Sequence, residues 1–296
     1  MTISSERSTP RLPWNTEALW AQLEPLLPGI GIEVVARIDS TNSALLERVR
    51  RETQSDEGGR QYGRRADDLM PSLLVAEHQT LGRGRMGRAW MSAPGSSLTF
   101  SLGVGLPEAD WTGLSLVVGS AIAEALEPTP PASGPRVMLK WPNDLWLRDD
   151  AGPEPGYRKL GGILIETVQA NRQRLVVIGV GINVQDFVED SDIPASQFGS
   201  GFAALHELLP GISLPEALSR VAPALAQALV DFPKLGFGAW LPAYTRRDLT
   251  LGQQVTAGAL TGESLGVAAD ASLQVRSADG AVHSVTAGDV SLRLQP

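Results

Sequence analysis

Apolar and small polar residues alternate through Ser97-Leu98-Thr99-Phe100-Ser101-Leu102-Gly103-Val104. This predicts a strand with one face in a core, because successive side chains of a strand point to opposite sides. Alternating or short apolar runs predict further strands over 32–38, 72–77, 137–140, 145–147, 160–168 and 175–182. Helices are expected from Asn15, as cap, to Leu27, and over 44–51, 111–126, 202–209, 215–232 and 239–244; Pro28-Gly29 ends the first. From about Thr250 the pattern changes to short strands separated by glycine turns, at 254–256, 264–267, 272–276, 282–285 and 290–294, with Asp279-Gly280 as a hairpin signal. The chain reads as an α+β protein: an extension at 1–30, a mixed sheet with flanking helices at 31–248, and a small β-barrel of SH3-like size at 249–296. Residues 53–68 and 149–159 read as surface loops, and no internal repeat is visible.

With 296 residues and 43% hydrophobic content the chain can bury a sizeable core. Its net charge of −8 opposes binding to nucleic acid or anionic membrane, so any anion-binding function must be local. The absence of cysteine removes disulfides, thiolate zinc sites and cysteine nucleophiles. His78, His206 and His283 are far apart and lack metal-ligand spacing, so no residue is assigned to a metal. Met1 to Pro13 lacks the apolar stretch of a signal peptide, and no segment approaches the roughly 20 apolar residues of a membrane span, so a cytoplasmic protein is expected.

The strongest local signal is Gly82-Arg83-Gly84-Arg85-Met86-Gly87-Arg88. Glycine permits positive φ and close approach to the backbone, and interleaved guanidinium groups offer forked donors to phosphate and carboxylate oxygens. The run also satisfies G-x-G-x-x-G, but a dinucleotide fingerprint needs a helix directly after the glycines and an acidic residue about 20 positions on. Ala89 to Gly95 is turn-rich and leads into a strand, so the loop joins two strands and holds its anion with arginines and amides; a solvated basic turn is the plainer alternative. Lys140-Trp141-Pro142-Asn143-Asp144 places a lysine at a strand end before a proline-fixed turn, either solvated or functional. Small residues in Lys159-Leu160-Gly161-Gly162-Ile163-Leu164-Ile165-Glu166 and Gly179-Val180-Gly181-Ile182-Asn183 suit strands whose backbone lies close to a ligand.

Together, Ser40-Thr41-Asn42, the run from Glu77 to Trp90, Lys140 to Asp144, Lys159 to Glu166 and Gly179 to Val184 resemble the biotin protein ligases, in the family's motif order. The resemblance extends over roughly residues 32 to 296 and implies a catalytic domain like that of class II aminoacyl-tRNA synthetases, followed by an SH3-like barrel. It implies ATP-dependent activation of biotin to biotinyl-5′-adenylate with release of pyrophosphate, then transfer to one lysine of a biotin carboxyl carrier domain. Biotin's carboxylate is already ionised, so attack on the α-phosphate needs charge neutralisation rather than a general base. Arg83, Arg85 and Lys140 with Mg²⁺ would supply it. By the same resemblance Ser40, Thr41, Asn42, Gln79, Arg83, Gly84, Arg85, Lys140 and Gly162 surround biotin, and Arg85, Arg88, Trp90, Lys140, Asn143 and Asn183 surround the nucleotide. Trp90 either covers the ligand or packs beneath the loop, and Asp144 either deprotonates the acceptor lysine or caps its turn.

Some relatives carry an N-terminal DNA-binding domain. Only about 30 residues precede the first strand here, and DNA-binding repression is not expected. The resemblance allows a homodimer. Ligation of lipoate or octanoate, a non-catalytic biotin sensor and an RNA-binding protein are the competing readings. The full arginine-glycine pattern favours biotin, the intact lysine and arginines favour catalysis, and RNA binding lacks a basic stripe with interleaved aromatics.

Overall fold

A computed structural model of the protein describes residues 12–55, 70–106, 110–150, 156–170, 173–187, 201–287 and 292–294. Helix α1, Thr16–Leu23, precedes strand β1, Gly31–Val35, and helix α2, Thr41–Ser55. Strands β2, Ser72–Ala76, and β3, Ser97–Leu106, flank the arginine loop, and helix α3, Leu114–Leu126, follows. Then come β4, Val137–Lys140; β5, Asp144–Asp149; β6, Gly156–Ala170; and β7, Gln173–Asn183. These seven strands form one sheet in the order β1-β2-β3-β7-β6-β5-β4, parallel only between β1 and β2.

The sheet has two faces because its strands alternate. On β3, Leu98, Phe100, Leu102 and Val104 join the main core with α1, α3 and helix α4, Leu214–Leu235. On β7, Val176, Ile178, Val180 and Ile182 do the same. The opposite face holds a smaller core, where Leu45, Leu46 and Val49 of α2 pack on Leu74, Leu175 and Val177. Helix α3 is apolar on nearly all sides because it is enclosed by the sheet and α4. Helix α4 starts at a reciprocal cap: Glu216 N donates to Ser213 Oγ at 3.3 Å and Ser213 N to the Glu216 carboxylate at 2.8 Å.

Helix α5, Leu241–Thr245, leads to a five-stranded antiparallel sheet of order β11-β10-β9-β8-β12. Its strands are β8, Gln254–Ala257; β9, Leu260–Val267; β10, Leu273–Arg276; β11, Val282–Val285; and β12, Leu292–Leu294. The segment between α5 and β8 is held by a buried ion pair: Arg247 Nη1 donates to Glu127 Oε2 at 2.6 Å and to Val137 O at 2.9 Å, with both side chains 5% exposed. The same Glu127 carboxylate accepts from the amides of Arg136 and Val137, so one buried anion closes the α3–β4 turn and holds the approach to β8.

Several expectations are corrected. Asn15 lies in the left-handed region at φ 44° and makes no side-chain cap, and α1 stops at Leu23. The strand expected to reach residue 38 ends at Val35, and the helix expected over 44–51 begins three residues earlier, so Thr41 and Asn42 lie in its first turn. The helix expected over 202–209 is only a 3₁₀ turn, Leu205–Glu207, because Ala203 N donates to Lys159 O and His206 N to Val184 O, drawing the segment onto the ends of β6 and β7. Within the expected 149–159 loop, Asp149 belongs to β5 and 156–159 to β6; residues 151–155 and most of the 53–68 stretch fall outside the described residues, as do 290 and 291. No described helix is long and apolar enough to cross a membrane.

Glu127→Ala is expected to lower the unfolding free energy by about 3–5 kcal/mol, the cost of stranding one member of a buried ion pair. Urea denaturation would measure it, and an unchanged midpoint would show that this pair does not hold the segment before β8 against the α3–β4 turn.

Candidate functional site

The cavity face of the large sheet is lined with small residues. Thr99 on β3 pairs with Gly181 on β7, Gly181 with Gly162 on β6, and Gly162 with Asp144 on β5. One register further along, Ser101 pairs with Gly179 and Gly179 with Leu164. The resulting trough is occupied by side chains of the protein itself. A Cβ on Gly181 would lie 2.3 Å from Trp90 Cε2, and one on Gly179 would lie 2.3 Å from Asn42 Oδ1. Glycine is needed here to seat an indole and an amide that themselves border the cavity.

Above this floor the arginine loop forms a tight hairpin. Arg83 bridges to Ala89, Gly84 N donates to Arg88 O at 2.7 Å, and Arg88 N donates to Arg85 O across a turn whose central residues, Met86 and Gly87, both have positive φ. No helix opens after the glycines, as the sequence predicts. The arginines diverge: Arg83 donates to Ser43 Oγ at 3.0 Å and pairs with Glu166, whereas Arg85 reaches Asn143 Oδ1 at 3.4 Å and the carbonyl of Ala287 beside the C-terminal sheet.

Ser40, Thr41, Asn42, Gln79, Arg83, Gly84, Arg85, Arg88, Trp90, Lys140, Asn143 and Gly162 all line one cavity of about 980 Å³, counting its open mouth. Asn183 is placed differently: it is buried at the end of β7, and its amide donates to Ala203 O at 3.2 Å and Lys159 O at 3.4 Å, bracing the 201–204 segment. Asn42 is largely committed as well, since Nδ2 donates to Leu164 O and to the Glu166 carboxylate while Oδ1 accepts from Ser101 Oγ at 2.6 Å. Gln79 Oε1 accepts from Thr41 N at 2.7 Å, so a ligand acceptor would meet its Nε2 donors.

Lys140, at the end of β4, places its ammonium 4.8 Å from the centre of the Trp146 ring. Burial pulls its pKa below the ordinary value of 10.5; Asp144 opposes this, and Lys159, Arg88 and Arg293 reinforce it. Asp144 accepts from Lys159 Nζ at 2.7 Å, which turns its carboxylate into the cavity. Trp141 is fully buried and donates from Nε1 to Ala271 O at 3.2 Å, so the aromatic residue of the Lys-Trp-Pro run ties the cavity wall to the β9–β10 turn of the second sheet. The Trp141-Pro142 peptide is cis.

Sequence reasoning assigned no role to Lys159, Glu166, Trp146, Leu292 or Arg293. Lys159 and Glu166 lie inside a recognised motif, which was the available signal. Leu292 lines the cavity from β12 and Arg293 acts electrostatically on Lys140, although nothing in their local sequence announces a site.

The arrangement gathers cations over a floor that admits flat groups, which suits a ligand carrying both carboxylate and phosphate. Residues 34–183 match the model of the biotin/lipoate A/B protein ligase family. The chain is 32% identical over 276 residues to a biotin–[acetyl-CoA-carboxylase] ligase of Mycobacterium tuberculosis, covering 88% of each chain. It is 30% identical to the bifunctional ligase/repressor BirA of Escherichia coli, covering 94% of this chain and 78% of that protein. A biotin protein ligase from Aquifex aeolicus, solved in complex with biotin and ATP, superposes with a TM-score of 0.66 at 27% identity, over 90% of this chain and 99% of that one.

Gly179→Ala and Gly181→Ala should each cost about 1–3 kcal/mol, as overpacking does when neither neighbour can retreat freely. Gly181→Ala should also change Trp90 fluorescence. Two variants as stable as the parent would mean that the trough has room that the structure denies it.

Proposed function

Because the chain belongs to the biotin/lipoate A/B protein ligase family, we propose that this cavity is where it joins biotin to ATP. The protein is an ATP-dependent biotin protein ligase that forms biotinyl-5′-adenylate and passes the biotinyl group to a lysine of a carboxylase carrier protein. The observation that carries the site assignment is the approach of Arg85 and a desolvated Lys140 to one cavity.

In the first half-reaction a carboxylate oxygen of biotin attacks the α-phosphorus of ATP, the bond to the bridging oxygen breaks, and pyrophosphate leaves. Both reactants are anions and charge builds on the phosphoryl oxygens, so fixed cations stabilise the transition state more than the separated substrates. Lys140 and Arg85 are the groups we assign to this task. The partial burial of Lys140 strengthens its field at short range. Gln79 and Thr41 meet the ureido ring, while Arg88, Asn143 and Trp90 border the nucleotide. Asn42 and Asn183 act by bracing their neighbours. In the second half-reaction the neutral acceptor amine attacks the acyl carbon, AMP leaves, and the amide nitrogen loses its proton.

Among the described residues no three His, Asp or Glu side chains cluster as a metal cage, and the cavity carboxylate Asp144 and the neighbouring Glu166 are paired with Lys159 and Arg83. The donor set does not fit a protein-held Mg²⁺; the ion would arrive on nucleotide phosphates, where it needs few protein ligands. We read the C-terminal sheet, from about residue 249, as an SH3-like unit whose Leu292 lines the cavity and whose Arg293 acts electrostatically on Lys140.

Incubation with biotin, ATP and Mg²⁺ without carrier, with lipoate in parallel, should yield biotinyl-5′-adenylate by mass spectrometry from biotin only; adenylate from lipoate alone would reassign the acid. Lys140→Ala should slow adenylate formation by about 10²–10³-fold, the range for losing one preorganised donor. Lys140 is needed charged, and its lowered pKa means that this charge is lost as pH rises while still below 10.5. The kcat/KM for the first half-reaction should therefore fall on an alkaline limb below 10.5 that Lys140→Arg removes. The same limb in Lys140→Arg would assign it to another group.

A further inference from the structure

Resting on the reading of this cavity as the adenylating site, we propose that Glu166 is a positioning residue that ties the arginine loop to helix α2 through a single carboxylate on β6. Glu166 faces the cavity side of the sheet, opposite Val177 on β7, where its side chain is 23% exposed. A carboxylate so shielded from water requires partners. One oxygen pairs with Arg83 Nη2 of the loop, and the other accepts from Asn42 Nδ2 at 3.0 Å. Arg83 is held on its second side by Ser43 Oγ, so its fork spans β6 and α2.

The linkage continues under the cavity. Asn42 Oδ1 lies 2.6 Å from Ser101 Oγ, Ser101 Oγ lies 2.6 Å from Thr41 Oγ1, and Thr41 N donates to Gln79 Oε1. Thr41 Oγ1 donates its one proton to Gln79 Oε1 at 3.0 Å, and the single hydroxyl proton of Ser101 is shared between Thr41 Oγ1 and Asn42 Oδ1. Glu166 therefore sits at the head of a hydrogen-bonded row that ends at the amide proposed to meet biotin.

The placement has an electrostatic purpose. Arg83, Arg85, Arg88, Lys140 and Lys159 all line the cavity, and their repulsion favours an open loop until an anion arrives. By neutralising Arg83 on the sheet, Glu166 keeps the loop's first strand in place without occupying the ground near Lys140 and Arg85. Biotin then binds a loop that is already ordered, and less freedom is lost on binding.

Steady-state kinetics and ligand-free trypsin digestion of Glu166→Gln, Arg83→Ala and the double variant test this. Glu166→Gln preserves shape but removes the charge. KM for biotin should rise about tenfold, the order expected when a long side chain must be immobilised on binding, with kcat changed less than about twofold. Trypsin should cut the loop faster in this variant, and the double variant should be no worse than Arg83→Ala. Glu166→Asp should recover part of the loss. Parental KM and cleavage rates in Glu166→Gln, or effects that simply add to those of Arg83→Ala, would overturn the assignment. A parent protein that forms no adenylate from biotin and ATP would instead overturn the reading on which it rests.

Discussion

Five cationic side chains share one cavity, and their mutual repulsion is the constraint around which the rest of the protein is arranged. At an effective dielectric near 20, two unit charges 4 Å apart repel by about 4 kcal/mol, so such a cluster persists only with counter-charges or a rigid frame. Both are present. Glu166 answers Arg83 and Asp144 answers Lys159, leaving Lys140 against the Trp146 ring with its charge disfavoured by burial. A site held in this condition favours the arrival of carboxylate and phosphate together, which is what joining biotin to ATP demands.

The frame is the seven-stranded sheet, whose period of two divides its labour. Leucine, isoleucine, valine and phenylalanine on one face bury against α1, α3 and α4, while the other face presents serine, threonine and glycine to the cavity. At about 25 cal/mol per Å² of apolar surface removed from water, the buried face stabilises a backbone whose opposite side is nearly bare beside the cavity. That bare side is where Trp90 and Asn42 come to rest. Packing on one face thus permits close approach on the other.

The second sheet belongs to the same construction. Arg85 reaches the Ala287 carbonyl, Trp141 reaches the Ala271 carbonyl, and Leu292 lines the cavity. The Arg247–Glu127 pair fixes the approach to that sheet from behind. The loop that handles the anions therefore touches the C-terminal sheet's surroundings, and a disturbance there reaches Arg85 through its hydrogen bond to the Ala287 carbonyl.

Much of this was legible in the residues alone. The alternation through β3 and β7, the strand–loop–strand setting of Arg83, Arg85 and Arg88, and the change of pattern near Thr250 all report local backbone preference, which a chain carries wherever it folds. The motifs around Gln79, Lys140 and Gly162 pointed to residues that do line one cavity. Tertiary structure decided which partner each polar atom takes. Asn183 turns to the 201–204 segment, Asn42 spends its amide on Leu164 and Glu166, Trp141 anchors a second sheet, and residues 202–209 give up a helix for hydrogen bonds to the ends of β6 and β7. Glu166 and Arg83 are 83 positions apart in the chain. No periodicity or propensity reaches that far, because an ion pair or hydrogen bond is chosen by distance in space, and that distance exists only once the sheet has formed.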